Sequence, residues 1–315
     1  MYRIGIDLGG TNIAVGVVDD RHAIIAEASV PTGAFRPAEE MVADMCRAVE
    51  MALEKAGLSA SDCAGIGIGS PGTCDSAAGT VVRAYNLGWF NVPVCRMLHE
   101  HFGIPVHLSN DANCAALGEY FALNDDSVTD FVAITLGTGV GGGVIINKKL
   151  FTGYNGVGAE LGHTVIAFDG EQCSCGRKGC WEAYASATAL IREAEKAANE
   201  NPDSMLKQNI DKNGGKANGK LVFDSADAGD KTAEEVVDKY IKSIGEGIIN
   251  IINIFQPNVL AIGGGISNQG EKLLEPIKDY VMPRTYASGI VPPVELTIAK
   301  LGNDAGIIGA AFLGR

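Results

Sequence analysis

Two stretches of this chain repeat one architecture, and that repeat limits the possible folds more than any other feature. IGIDLGGTNIAVGVVD near the start and AITLGTGVGGGVIIN around residue 140 each read as strand, small-residue turn, strand. A glycine turn between strands can come close to a ligand and offer it successive backbone N–H groups. Two copies, opening the two halves of the chain, predict a duplicated two-lobe α/β fold with the turns facing each other across a cleft. Size agrees: 315 residues, 46% of them hydrophobic, exceed what a single core usually organises.

The hydrophobic pattern fills in the lobes. Strands are predicted at Arg3–Leu8, Ile13–Val18 and about Ile24–Val30, forming a β-meander. Met41, Val42, Met45, Val49 and Leu53 recur at helical spacing over Ala38–Ala56, and Gly57 supplies a stop. Strands at Gly65–Gly69 and Ile104–Leu108 and a helix over Ala112–Leu123 follow. The second half reads as strand Phe131–Leu136, turn Gly137–Gly139, strand Val144–Asn147, helix Ala233–Phe255, and buried strand Val259–Ile262 ending in Gly263–Gly265. A small-residue helix at Ala305–Leu313 is expected to pack back on the first lobe. These elements suggest a first lobe of residues 1–115 with 303–315, and a second of 116–302. The stretch 202–230, rich in Asn, Lys, Gly and Asp, reads as a polar surface insertion.

Charge narrows the partners. With 25 Lys and Arg against 38 Asp and Glu, a net charge of -13 argues against nucleic acid and anionic membrane as targets. The opening residues are strand-like rather than leader-like, and no uncharged stretch reaches the roughly 18 residues that span a bilayer, so a cytoplasmic protein is expected.

Four features carry chemistry. Asp7-Leu8-Gly9-Gly10-Thr11-Asn12 can hold phosphate oxygens on backbone N–H groups and the Thr11 hydroxyl, with Asp7 facing the metal that accompanies ATP. Gly137, Gly139 and Gly142 match G-x-G-x-x-G, as do Gly67, Gly69 and Gly72, but a dinucleotide site needs a helix after the glycines. Here the first match leads into VIIN, a strand, and the second into a polar turn, which disfavours that reading. Asn110-Asp111 sits between a strand and a helix, where Asp111 either accepts a proton from an attacking hydroxyl or caps the helix. His163, Cys173, Cys175 and Cys180 form a Cys₃His set suited to a closed structural zinc site, with a redox pair or chance as the alternatives. A filled tetrahedron cannot activate water, so such a zinc would pin the loop that carries Glu160 and Glu182, two carboxylates able to grip sugar hydroxyls.

Taken together, DLGGTN, GSPG at 69–72, SNDAN at 109–113, LGTGVGGG at 136–143, GAELGH at 158–163, CxCGxxGCxE at 173–182 and GGG at 263–265 resemble the ROK family of kinases and repressors over essentially the whole chain. The resemblance implies the actin-like ATPase, ribonuclease H-like duplicated, two-lobe sugar kinase fold with an interlobe cleft. It implies ATP-dependent transfer to a hexose, glucose foremost, with fructose, allose, N-acetylmannosamine or N-acetylglucosamine as alternatives and a sugar sensor as the non-catalytic one. Asp111 is implied as the base, with Gly72, Asn86, Asn110, Glu160, His163 and Glu182 on the sugar. Asp7, Gly9, Gly10, Thr11, Asn12, Thr138, Gly139, Gly264 and Gly265 are implied around ATP and Mg²⁺, and His163, Cys173, Cys175 and Cys180 on Zn²⁺. The family's repressors carry a helix-turn-helix before the first sheet, whereas this sequence starts at the first strand, so a DNA-binding role is not expected. Analogy within the family implies a homodimer or homotetramer.

Overall fold

The computed structural model describes residues 1–314. The chain opens with β1 (Tyr2–Leu8), β2 (Asn12–Val18), β3 (Ile24–Pro31) and α1 (Ala38–Ala56), then β4 (Cys63–Ser70). Three short strands follow, β5 (Thr73–Asp75), β6 (Thr80–Ala84) and β7 (Trp89–Val92), and after them α2 (Val94–Phe102), β8 (Val106–Asn110) and α3 (Asp111–Ala122). The second half contains β9 (Phe131–Leu136), β10 (Val140–Ile146), β11 (Lys149–Phe151), α4 (Glu182–Ala185), α5 (Ala187–Glu200), α6 (Met205–Lys212) and α7 (Gly219–Asp227). It closes with α8 (Lys231–Phe255), β12 (Val259–Gly263), α9 (Glu271–Val281), β13 (Glu295–Ile298) and α10 (Asp304–Ala311). Among the described residues no helix is long and apolar enough to cross a membrane.

The chain forms two compact units. The first comprises Met1–Ser127, Gly143–Ala159 and the chain from Lys300 onward; the second comprises Val128–Gly142 and Glu160–Ala299. In the first, the strand order is β3-β2-β1-β4-β8, with β1–β2 and β2–β3 antiparallel and β1–β4 and β4–β8 parallel. The mixed pairing follows from the connections: two tight turns make the meander, and α1 then carries the chain back to a parallel position. The buried stripe of α1, Met41, Val42, Met45, Val49 and Leu53 among it, packs into the core with Ile4, Ile6, Val15 and Ile66. Gly57 ends the helix in the left-handed conformation, φ 67°, donating its N–H to the Glu54 carbonyl.

Helix α10 lies directly on the backbone of β1 and β4. A Cβ on Gly67 would stand 1.7 Å from the Ala310 carbonyl oxygen, so only glycine permits that approach. The first unit also keeps α3 whole, past the boundary that spacing suggested at 115. Cys114 and Leu117 of α3 cluster with Ala310 and Leu313, and the buried Glu119 accepts the Lys300 and Leu301 N–H groups, each at 2.8 Å.

The second sheet has the order β11-β10-β9-β12-β13, with β9, β12 and β13 parallel. Strand β10 begins at Val140, four residues before the predicted Val144, because its glycines leave room for packing partners; a Cβ on Gly142 would meet Leu161 at 2.7 Å. Strand β8 runs two residues later than predicted, since Pro105 has no N–H to give a ladder and offers its carbonyl to Ile66 instead, at 2.8 Å.

The stretch 202–230, expected as a polar surface insertion, forms two helices, α6 and α7. Leu206, Ile210, Val222 and Phe223 are buried, and Asp230 accepts N–H groups from Met205, Leu206 and Ala233. In α6 only Leu206 and Ile210 are buried, so the average composition there stays polar and hides the helical stripe.

Candidate active site

In the first unit, three parallel strands end together. Asp7 of β1 pairs with Gly69 of β4, and Gly69 with Ser109 of β8. A Cβ at Gly69 would lie 3.6 Å from the Asp111 Cα, so the glycine lets the first turn of α3 sit against the strand ends. The sequence left open whether Asp111 serves only as a cap. The structure makes Asn110 the N-cap: its Oδ1 accepts the Ala112 N–H at 2.9 Å and the Asn113 N–H at 3.4 Å. Asn110 Nδ2 donates to the Gly72 carbonyl at 3.2 Å. Asp111 Oδ1 shares the Ala112 N–H at 2.8 Å. A cap is therefore present without Asp111, whose carboxylate is available for chemistry.

Beside it, the turn after β1 closes through the Gly9 N–H and the Asn12 carbonyl at 3.0 Å. Thr32, buried and not anticipated from the sequence, donates its hydroxyl to the Gly9 carbonyl at 2.7 Å and its N–H to the Thr11 carbonyl at 2.8 Å. The Asn86 amide lies 3.5 Å from where a Gly10 Cβ would be, which brings that side chain to the turn. The first unit thus gathers Asp7, Gly9, Gly10, Thr11, Asn12, Gly72, Asn86, Asn110 and Asp111.

Two carboxylates in one partly buried place resist joint ionisation. Burial, and then the charge of Asp111, push Asp7 from 3.8 to about 6. Burial also raises Asp111, against the N–H bond from Ala112 that favours its charged form. The folded chain therefore binds a proton on Asp7 more tightly than the unfolded chain. Stability from this group is complete below pH of about 4 and is lost as pH rises through about 6. Without ligands, Asp7→Asn is expected to stabilise the protein by about 2 kcal/mol near pH 8 and to match wild type near pH 4. Thermal melts at the two pH values read this; equal melting shifts at both would refute the strain.

The second unit gathers the remaining residues. The Gly137 N–H donates to the Gly139 carbonyl at 3.0 Å, and Thr188 Oγ1 donates to the Thr138 carbonyl at 2.8 Å. Gly264 follows β12 with φ +85°, and a Cβ there would stand 2.5 Å from the Leu136 carbonyl oxygen, so the two turns adjoin at the parallel strand ends. Gly265 begins the next short helical turn. The Val140 N–H donates to Glu182 Oε2 at 3.1 Å, tying the same turn to the start of α4. Glu160 precedes the turn Leu161–His163 and accepts the His163 N–H on its carbonyl at 3.1 Å.

His163, Cys173, Cys175 and Cys180 converge, with their ligand atoms within 4.8 Å of one another. His163 Nδ1 is 3.6 Å from Cys173 Sγ, and Cys175 Sγ is 3.6 Å from Cys180 Sγ. A tetrahedral zinc with bonds of about 2.3 Å to sulfur needs sulfur atoms about 3.8 Å apart, so the cluster fits that ion. Trp181, the next residue, is fully buried; its Nε1–H donates to the Ser243 carbonyl at 2.8 Å, and Gly247 of α8 leaves room for the indole. This anchor was not evident from the sequence, where a lone Trp after a Cys carries no sign of its partner.

The ROK family model matches residues 3–315. This chain belongs to the ROK family. Among its relatives, a glucokinase of Halalkalibacterium halodurans is 38% identical over 99% of this chain and 94% of its own length. A Streptomyces griseus ROK glucokinase, solved with glucose and AMPPNP, is 37% identical, covers 99% of both chains and superposes with a TM-score of 0.80. A ROK hexokinase from Thermus thermophilus is 33% identical, with a TM-score of 0.80 over 99% of this chain and 97% of that one. The fold is the mixed α/β fold of the ROK sugar kinases.

Proposed function

We propose that this protein is a glucokinase that transfers the terminal phosphoryl group of ATP to the 6-hydroxyl of glucose. The observation that carries this reading is Asp111: a partly buried carboxylate at the end of β8, relieved of capping duty by Asn110 and set beside the glycine turn that follows Asp7. Similarity along nearly the full length to glucokinases, one of them solved with glucose and an ATP analogue, supports the substrate pair.

In the reaction, the sugar O6 attacks the γ-phosphorus, the bond from that phosphorus to the bridging oxygen breaks, and Asp111 accepts the O6 proton. The groups assigned to the sugar in this reading are Gly72, Asn86 and Asn110 together with Glu160, His163 and Glu182. Asp7 would face the magnesium that accompanies ATP, and N–H groups of the turns at Gly10–Asn12, Thr138–Gly139 and Gly264–Gly265 would donate to phosphate oxygens. A zinc on His163, Cys173, Cys175 and Cys180 supplies rigidity and no reacting oxygen. His163 turns Nδ1 toward Cys173, which leaves Nε2 for a sugar hydroxyl.

A coupled assay of ADP release over a panel of hexoses, with ATP and separately with polyphosphate, tests the proposal. Glucose with ATP should give the highest kcat/KM. Sugar binding without ADP release for any hexose would instead identify a sensor.

A further inference from the structure

Glu182 is held at both oxygens by groups from different loops. The Val140 N–H, from the turn after β9, donates to Oε2 at 3.1 Å. The Ser174 hydroxyl, from between two cysteines of the metal cluster, donates to Oε1 at 3.0 Å. Cys173 Sγ lies 3.6 Å from that same oxygen, but a metal-bound thiolate has no proton to give, which leaves the serine as its donor. The terminal torsion of a glutamate is soft, so the plane of this carboxylate is set by its hydrogen bonds rather than by a rotamer well. Each oxygen accepts about two hydrogen bonds, and one on each is already made.

We propose that Ser174 is a positioning residue for sugar selection, fixing the Glu182 carboxylate so that its two remaining acceptor sites meet the protons of neighbouring ring hydroxyls. The assignment rests on the glucokinase reading and adds how that site discriminates. A carboxylate locked in one plane rejects a sugar lacking a hydroxyl, because the acceptor is then left unmet; a carboxylate free to turn can recover a partner from water.

The test compares wild type, Ser174→Ala and Ser174→Thr on glucose and on deoxyglucoses lacking the 1-, 2-, 3- or 4-hydroxyl. Losing one hydrogen bond to a charged group should raise the glucose KM of S174A about fivefold to tenfold, with kcat within about twofold and zinc content unchanged. S174T, which keeps the hydroxyl, should return to within about twofold of wild type. For each deoxyglucose whose missing hydroxyl is one that Glu182 receives, the KM rise should shrink to under about twofold, a pattern that loosening of the loop would not produce. An S174A glucose KM within about 1.5-fold of wild type, an equal rise for glucose and every deoxyglucose, or a rise accompanied by zinc loss would each overturn the assignment. Wild-type protein unable to phosphorylate glucose would sink the glucokinase reading itself, and this assignment with it.

Discussion

Asp111→Asn is expected to lower kcat for glucose phosphorylation by about three orders of magnitude while leaving glucose affinity within a few-fold of wild type. The amide has nearly the shape of the carboxylate, and its oxygen can still accept the Ala112 N–H as Asp111 Oδ1 does. Helix α3 keeps its start in any case, because Asn110 is the cap. What the variant loses is a site for the O6 proton. Because burial raises Asp111, wild-type kcat should fall on the acid side at a higher pH than a free aspartate would give, and that limb should vanish from the residual activity of the variant. Steady-state kinetics over pH, with calorimetry for glucose, separate the two effects. Turnover near the wild-type rate in Asp111→Asn would remove Asp111 from the role of base.

Cys175→Ser should abolish stoichiometric zinc, lower the melting temperature by roughly 10 °C and raise the glucose KM by about tenfold or more. The cluster adjoins side chains proposed to face the sugar: His163 is itself a member, and Glu182 is two residues beyond Cys180. With three ligands left, the loop 173–180 keeps backbone bonds such as Gly179 N–H to the Glu171 carbonyl, but the exposed Cys175 loses its tie to His163, Cys173 and Cys180. Cys175 is exposed, so the change itself opens no cavity and any loss of stability reports the ion. Elemental analysis of the purified variant decides: zinc content equal to wild type would break the proposed ligand set.

Much of this was legible before any coordinates. Strands bounded by glycine turns, a helix with an apolar stripe every three or four residues, and a Cys₃His set crowded into 18 residues from His163 to Cys180 are local patterns, and local patterns survive in a one-dimensional string. The strands Thr73–Asp75, Thr80–Ala84 and Trp89–Val92 were not legible. They are short, and Arg83 beside Phe90 on their outward face obscures any alternation. Helices α6 and α7 were missed because the stretch was read from its Asn, Lys, Gly and Asp content, although Asn218 and Asp230 are N-caps, as is Ser204.

The sequence by itself determined most of the strands and helices of the two sheets, the duplicated strand–turn–strand and the Cys₃His set that converges in space, since each depends on spacing along a few neighbouring residues. Tertiary structure decided the rest. That Glu119 seizes the chain 181 residues later at Lys300, and that Val140 reaches Glu182 from 42 residues away, are contacts between distant segments. Such contacts follow from how strands align and which glycines admit a close neighbour, and that geometry exists only once the chain has packed.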